Sequence, residues 1–270
     1  MANSTSSTAG SAANSPLLFW RDGAIAHIRF NRPAMLNAID IPSANAFLDA
    51  CRKLSVDQEV RVVVISGEGR AFIAGGDLAV MRNNPVEAVR ALITPMHEGI
   101  MLLAGLAAPV IASVHGAVAG GGMGVALVSD VVIAAADTRF NLAYVNIGTS
   151  PDCSSSWVLP RLVGMRKAME IALLGETLDA AEALRLGLIN RVVPAVDLEN
   201  ETLRLARRLA DGPPLAQARI KRLMRESLDR GLQEQLDAEA ENFLACAGTS
   251  DFAEGVNAFF EKRPARYRGR

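Results

Sequence analysis

Two kinds of apolar stretch alternate along the first two thirds of the chain. Short runs rich in β-branched residues, such as Val60–Ser66 and Val110–Val114, have the length of buried strands. Longer stretches, such as Pro42–Leu54 and Val86–Leu106, are typical of helices. Strands alternating with helices predict an α/β core. The other elements predicted here are a hairpin of Leu17–Arg21 and Ala24–Phe30 around Asp22-Gly23, a helix over Gly121–Ser129 and a strand over Val131–Ala135.

From Ser154 onward the pattern is mostly helical and begins with a predicted helix over Ser154–Val163. We therefore divide the chain into a tail (1–15), a core (16–200) and a C-terminal helical region (201–270). The tail is almost entirely Ser, Thr, Ala, Asn and Gly, which predicts disorder and lacks the features of a signal or transit peptide. The predicted C-terminal helices are Leu198–Leu209, Leu215–Leu228, Leu232–Cys246 and Phe252–Phe260.

Charge and cysteine content narrow the function classes. The formal net charge is −1, which argues against nucleic acid and anionic membrane surfaces as partners. No apolar run reaches the length of a membrane span. Cys51, Cys153 and Cys246 are far apart, which favours reduced thiols in a cytoplasmic protein over disulfides or a metal site.

Two glycine-rich turns are the strongest chemical signal. One spans Ala71–Leu78 and the other spans Pro109–Gly116 and runs into Gly120–Gly122. Each follows an apolar strand and leads towards a helix, where glycines let backbone N–H groups approach a ligand. Two such turns meeting at one point would form an oxyanion hole, which stabilises negative charge on a carbonyl oxygen.

These turns belong to a longer series of motifs that resembles the crotonase superfamily, also called the enoyl-CoA hydratase/isomerase family. The resemblance runs from about Leu17 to the C-terminus. It implies a crotonase-type spiral of ββα units, a trimer or dimer of trimers formed through the C-terminal helices, and binding of acyl-CoA thioesters. The motifs are NRPAMLNAID (31–40), AFIAGGDL (71–78), PVIASVHGAVAGGG (109–122), LPRLVG (159–164) and AFFEKR (258–263).

The resemblance also implies specific site residues. The backbone N–H groups of Gly76 and Gly121 would hold the thioester oxygen, and Gly121 also stands at a predicted helix start, where the helix dipole adds positive potential. No metal or redox cofactor is expected, since coenzyme A is part of the substrate. The residues expected to hold coenzyme A are Arg32, the backbone of Ala38 and Ala74, and Lys262 and Arg263.

Departures from the family pattern bear on the reaction. Hydratases of the family use two glutamates, whose positions are occupied here by Gly124 and Tyr144. The resemblance places both residues in the substrate pocket, together with Met96 and His97. Family isomerases often carry an aspartate where this chain has Asp152. The resemblance therefore implies an acyl-CoA isomerase that shifts a double bond or rearranges an epoxide, with Asp152 as acid/base. From the residues alone, Asp152 is also a candidate N-cap for the helix that follows.

Three alternatives stay open. In 4-chlorobenzoyl-CoA dehalogenases an aspartate at this position attacks the ring, and His97 stands at the matching distance for the base. Against this, Gly76 and Met96 replace aromatic pocket residues of those enzymes, while Tyr144 replaces a tryptophan and either lines the pocket or packs. The other two alternatives are an atypical hydratase and a catalytically silent scaffold or RNA-binding relative.

Overall fold

A computed structural model describes residues 15–270. Apart from Ser15, the predicted tail lies outside these residues. The core is built on a six-stranded sheet with the order β1-β2-β3-β4-β6-β9. Strands β1 and β2 form the predicted antiparallel hairpin, and the remaining neighbours pair in parallel. These strands are β1 (Leu17–Asp22), β2 (Ile25–Phe30), β3 (Val62–Gly67), β4 (Val110–Val114), β6 (Val131–Ala135) and β9 (Arg191–Val193).

A second, three-stranded sheet has the order β5-β7-β8 and lies next to the second glycine turn. Its strands are β5 (Ala117–Ala119), β7 (Arg139–Asn141) and β8 (Leu178–Asp179). Alternating strands and helices confirm the α/β class. The helices are α1 (Ile41–Val56), α2 (Leu78–Met81), α3 (Pro85–Gly105), α4 (Gly121–Val128), α5 (Ser155–Leu174), α6 (Ala180–Arg185), α7 (Leu198–Ala210), α8 (Pro214–Glu226), α9 (Leu232–Ala247) and α10 (Ser250–Phe260).

Apolar residues cover both faces of the large sheet, as expected where parallel strands are enclosed by helices. On one face, Phe30 and Ile65 belong to the main core, together with Phe47 of α1 and Met96 of α3. On the other face, β-strand residues pack against Leu205 and Ala206 of α7. Helix α7 therefore packs on the core, although it extends beyond residue 200, where the sequence suggested that the core ends.

The longest helical segment of the second half, α5, is interrupted at Gly164. Gly164 adopts φ 75° and ψ 159°, which is not a helical conformation, so α5 consists of two helices that meet at a kink. The first of them agrees with the helix predicted over Ser154–Val163, and the second, which continues to Leu174, was not predicted separately. Strands β5, β7, β8 and β9 were not predicted, because runs of two or three residues carry too little periodicity.

Within residues 15–270, no helix combines the length and the apolar character that crossing a bilayer requires.

Candidate active site

The two glycine-rich turns meet in the folded chain. Ile73 and Val118 form a parallel bridge, and the Ala119 N–H donates to the Ile73 carbonyl at 2.9 Å. The position that a Cβ would take on Gly120 lies 3.5 Å from Gly75 Cα. Glycine is needed at both positions, since φ is 105° at Gly75 and 49° at Gly120. The turns therefore bring their backbones to one point.

The N–H groups of Gly76 and Gly121 are free to bind a ligand. Within residues 15–270, neither group donates to a protein acceptor. Gly121 is the first residue of α4, so the positive end of the helix dipole adds to its N–H. Two such donors from converging turns are what an oxyanion hole requires.

Asp152 lies beside this point. Its Oδ1 is 3.8 Å from the Cβ position of Gly121. The Tyr144 hydroxyl donates a hydrogen bond to Oδ1, and Tyr144 Cζ is 3.9 Å from the Cβ position of Gly120. Burial, and then the Asp152 carboxylate, raise the pKa of the Tyr144 hydroxyl above its usual value. Tyr144 therefore keeps its proton and holds the carboxylate in place.

The contacts of Asp152 differ from those of a helix cap. The N-cap of α5 is Ser154, with no side-chain capping bond, and Asp152 contributes only its carbonyl, which accepts from the Ser155 N–H at 3.0 Å. The carboxylate is directed to Tyr144 instead. It is half-buried, so it is shielded from bulk water on one side.

His97 and Cys153 complete the cluster. His97 lies on α3, and its Nε2 accepts the Cys153 N–H at 3.2 Å. One ligand atom from each of His97, Asp152 and Cys153 lies within 4.8 Å of the other two. Burial, reinforced by Asp152, raises the pKa of the Cys153 thiol well above its usual value, which disfavours a thiolate nucleophile.

The backbone of Cys153 fills the space beside Gly124. A Cβ on Gly124 would overlap the Cys153 carbonyl oxygen and lie 2.9 Å from Ser155 Oγ. Gly124, expected in the substrate pocket, therefore packs against backbone and leaves no room for a side chain. Met96, also expected in the pocket, is fully buried in the core. Met81 was not predicted from the sequence to lie at the site, and its Cε lies 2.5 Å from the Cβ position of Gly76.

Arg32 is held by its own loop. Its guanidinium contacts Asp40 at 3.2 Å and Asp77 at 3.1 Å, and it donates to the Ala38 carbonyl. Two carboxylates neutralise its charge, so it ties the NRP loop to the first glycine turn. Buried Asn37 adds to this by donating to the carbonyls of Glu68 and Ala71.

The other residues expected to bind coenzyme A differ in whether their polar groups are already bonded within the protein. The Ala38 N–H donates to the Met35 carbonyl in its own loop, and the Ala74 N–H donates to the Leu36 carbonyl of the NRP loop. Arg263 forms a two-pronged ion pair with Glu254 and also contacts Glu261. Lys262 is exposed, and no ion pair to it is found within residues 15–270.

A family model for enoyl-CoA hydratases and isomerases matches residues 21–270. The chain belongs to the enoyl-CoA hydratase/isomerase family. This confirms the resemblance and the crotonase-type fold. The solved structure of an enoyl-CoA hydratase from Polaromonas sp. JS666 superposes with a TM-score of 0.88 at 36% identity, covering 93% of this chain and 99% of that one.

Curated relatives of this crotonase-family chain carry three different activities in their names. "Probable enoyl-CoA hydratase" of Rhodobacter capsulatus is 39% identical, over 91% of this chain and 95% of its own. 1,2-Epoxyphenylacetyl-CoA isomerase of Escherichia coli is 33% identical, over 90% and 94%. 4-Chlorobenzoyl coenzyme A dehalogenase-2 of Arthrobacter sp. is 34% identical, over 88% of each. Family membership establishes an enzyme of crotonase type, and the reaction depends on the site.

The hydrogen bond from Tyr144 to Asp152 gives one testable expectation. In this crotonase-family enzyme, Tyr144→Phe removes the donor but keeps the ring. We expect kcat for its acyl-CoA substrate to fall about 10- to 100-fold, because the Asp152 carboxylate loses its fixed orientation. KM should change little, because the contacts that bind the substrate remain. Tyr267→Phe, which changes the chain's other tyrosine, is the matched control and should leave both constants unchanged. Equal kinetics for Tyr144→Phe and wild type would refute the positioning role.

Proposed function

We propose that this protein is an acyl-CoA isomerase that shifts a double bond, or rearranges an epoxide, through an enolate. One observation carries the proposal: the Asp152 carboxylate is held by Tyr144 beside Gly121 of the oxyanion hole. A single oriented carboxylate next to a carbonyl-binding site has the geometry for proton abstraction adjacent to a thioester.

In the proposed reaction, the thioester oxygen accepts hydrogen bonds from the Gly76 and Gly121 N–H groups. Asp152 takes a proton from C2, and the electron pair moves onto the thioester oxygen to give a dienolate. The same carboxyl group then returns its proton at C4, which regenerates the carboxylate and leaves the double bond in conjugation. Proton and electron pair balance without an oxidant or reductant.

The surroundings of Gly124 support isomerisation over hydration. A hydratase of this family positions water with two glutamates. At the first position the Cys153 backbone excludes any side chain. At the second, the Tyr144 hydroxyl is engaged with Asp152.

A second candidate is hydrolytic dehalogenation of an aryl-CoA, favoured by the closeness of His97 to Asp152. An Asp152 oxygen would attack the ring carbon and chloride would leave. Water activated by His97 would then hydrolyse the aryl ester. The named dehalogenase among the relatives supports this class. Gly76, in place of an aromatic pocket residue, supports the isomerase instead.

We further propose how the substrate and subunits are held. The exposed Lys262 and the Ala74 carbonyl are the available contacts for coenzyme A, with Arg32 and the Ala38 loop shaping its entry. Arg263 would join them only by giving up its pairing with Glu254. Trimers or dimers of trimers are supported by strongly exposed apolar side chains in the C-terminal helices: Phe243, Leu244, Phe259 and Phe260.

The proposal is tested with three substrates in parallel: a 3-enoyl-CoA, a trans-2-enoyl-CoA and 4-chlorobenzoyl-CoA. We expect a rise in enoyl-thioester absorbance with the first, and less than about one hundredth of that rate with the other two. Chloride release that depends on His97 would establish the second candidate. Fast hydration of the 2-enoyl-CoA, or no turnover of any of the three together with no rearrangement of an epoxyacyl-CoA, would overturn the proposed isomerase.

A further inference from the structure

Three side chains at the site form a donor set suited to a transition metal. The imidazole of His97, the carboxylate of Asp152 and the thiol of Cys153 each offer one atom, all within 4.8 Å of one another. Imidazole, thiolate and carboxylate are the ligands that Zn²⁺ takes in proteins. We propose that His97, Asp152 and Cys153 form a Zn²⁺ site that overlaps the position of the proposed acid/base.

The distances allow closure around an ion with small movements. Bonds of about 2.0–2.3 Å to a tetrahedral Zn²⁺ place donor atoms about 3.3–3.7 Å apart. The donors therefore have to approach by on the order of 1 Å. His97 is exposed and can make this movement once its hydrogen bond from the Cys153 N–H is released, whereas Cys153 and Asp152 are anchored at the start of α5.

The immediate surroundings already orient the donors. His97 Nε2 accepts the Cys153 N–H at 3.2 Å, which places the imidazole beside the other two donors, and this nitrogen exchanges that hydrogen bond for the bond to Zn²⁺. Tyr144 donates to Asp152 Oδ1, which is the outer hydrogen bond that metal-binding carboxylates usually have. When Zn²⁺ binds, the Cys153 thiol loses its proton to solvent as the Zn–S bond forms, and a water completes the tetrahedron.

Access from solvent and the residues around the three donors are also compatible with a bound Zn²⁺. The exposed His97 ring gives the ion access from solvent. Cys153 Sγ lies 3.1 Å from the Cβ position of Gly121, so any side chain there would crowd the sulfur. Because the bound Zn²⁺ coordinates the carboxylate oxygen of Asp152, Asp152 can no longer transfer the proton between C2 and C4 of the substrate. This last step rests on the proposed function, whereas binding itself does not.

Binding is tested without any assay of activity. The purified full chain is titrated with Co²⁺, whose bond to a thiolate gives a charge-transfer band in the near ultraviolet. We expect one equivalent to produce the band in wild type. Cys153→Ala should lose it, and Cys246→Ala, which changes a thiol on α9, should keep it. A band that survives in Cys153→Ala, or none in wild type, would overturn the site.

A second variant guards against a folding effect of Cys153→Ala. His97→Gln alters an exposed ring and should lower Zn²⁺ affinity about a hundredfold or more in calorimetry, since even outer partners of a metal site are typically worth 10- to 100-fold. Unchanged affinity would refute the ligand set.

Assays of isomerisation with and without Zn²⁺ then test the zinc site and the proposed function separately. Zn²⁺ should inhibit isomerisation in wild type and in Cys246→Ala, with reversal by a chelator. Zn²⁺ that raises activity would contradict the inhibitory role. Binding that needs His97 and Cys153, in a protein inactive on all three substrates, would leave the metal site standing and the isomerase refuted.

Discussion

Asp152→Asn is expected to lower kcat for isomerisation by about 10²–10⁴-fold while leaving acyl-CoA binding intact. A positioned general acid–base typically contributes this factor, which corresponds to about 3–5 kcal/mol of activation free energy. The amide keeps the shape of the side chain and still accepts the hydrogen bond from Tyr144. The amide cannot take up the proton from C2, so only the chemical step should suffer.

Kinetics and binding must be measured on the same preparations. The affinity for a non-reacting acyl-CoA, measured by calorimetry, should change less than about threefold. Asp49→Asn is the matched control, because its exposed carboxylate lies on α1. It should match wild type in both measurements. An Asp152→Asn enzyme with more than about a tenth of wild-type kcat would contradict the assignment of the base.

Gly124→Ala is expected to destabilise the folded protein strongly. The new Cβ would overlap the Cys153 carbonyl oxygen, and neither that oxygen nor the α4 backbone can move like a flexible side chain. Overpacking typically costs about 1–3 kcal/mol, and we expect a clash with backbone to lie at the upper end of that range. For a chain of this size we expect Tm to fall by about 6–12 °C, measured by calorimetry at fixed protein concentration.

A second glycine provides the control. Gly105 ends α3, is exposed, and would place a Cβ in open space. Gly105→Ala should leave Tm unchanged or raise it slightly, since alanine favours the helix. If Gly124→Ala were as stable as Gly105→Ala, Cys153 would not close the hydratase position, and hydration would again be open as the native reaction.

The pattern of apolar and polar residues was sufficient to predict those strands and helices whose structure is decided by residues that are neighbours in the sequence. The strands over Val60–Ser66 and Val110–Val114 and the long helix before the second of them were predicted within a few residues. The glycine-rich turns could be located from the motifs, because the positive φ angles of Gly75 and Gly120 favour glycine. The oxyanion-hole role of Gly76 and Gly121 stays a prediction. Short strands escaped prediction, since two-residue β8 exists only through its pairing with β7.

The chemistry of the site depends on packing that no local pattern encodes. The resemblance to the family suggested His97 and Asp152 as site residues. That the two side chains lie close together depends on how α3 packs against the start of α5. The Tyr144 hydrogen bond and the closure of Gly124 by Cys153 also arise from that packing. Met96 was expected in the pocket from its place beside His97, but adjacent helical residues face different directions and Met96 faces the core.

The most direct test of the account follows isomerisation of a 3-enoyl-CoA in D₂O by NMR, with wild type and Asp152→Asn. We expect wild type to form the conjugated 2-enoyl-CoA, with deuterium at C4 in the fraction of turnovers in which the half-buried Asp152 carboxyl group exchanges with solvent before it protonates C4. Asp152→Asn should give neither product nor exchange at C2. Conversion and deuterium uptake that persist in Asp152→Asn would contradict the central claim that this carboxylate moves the proton.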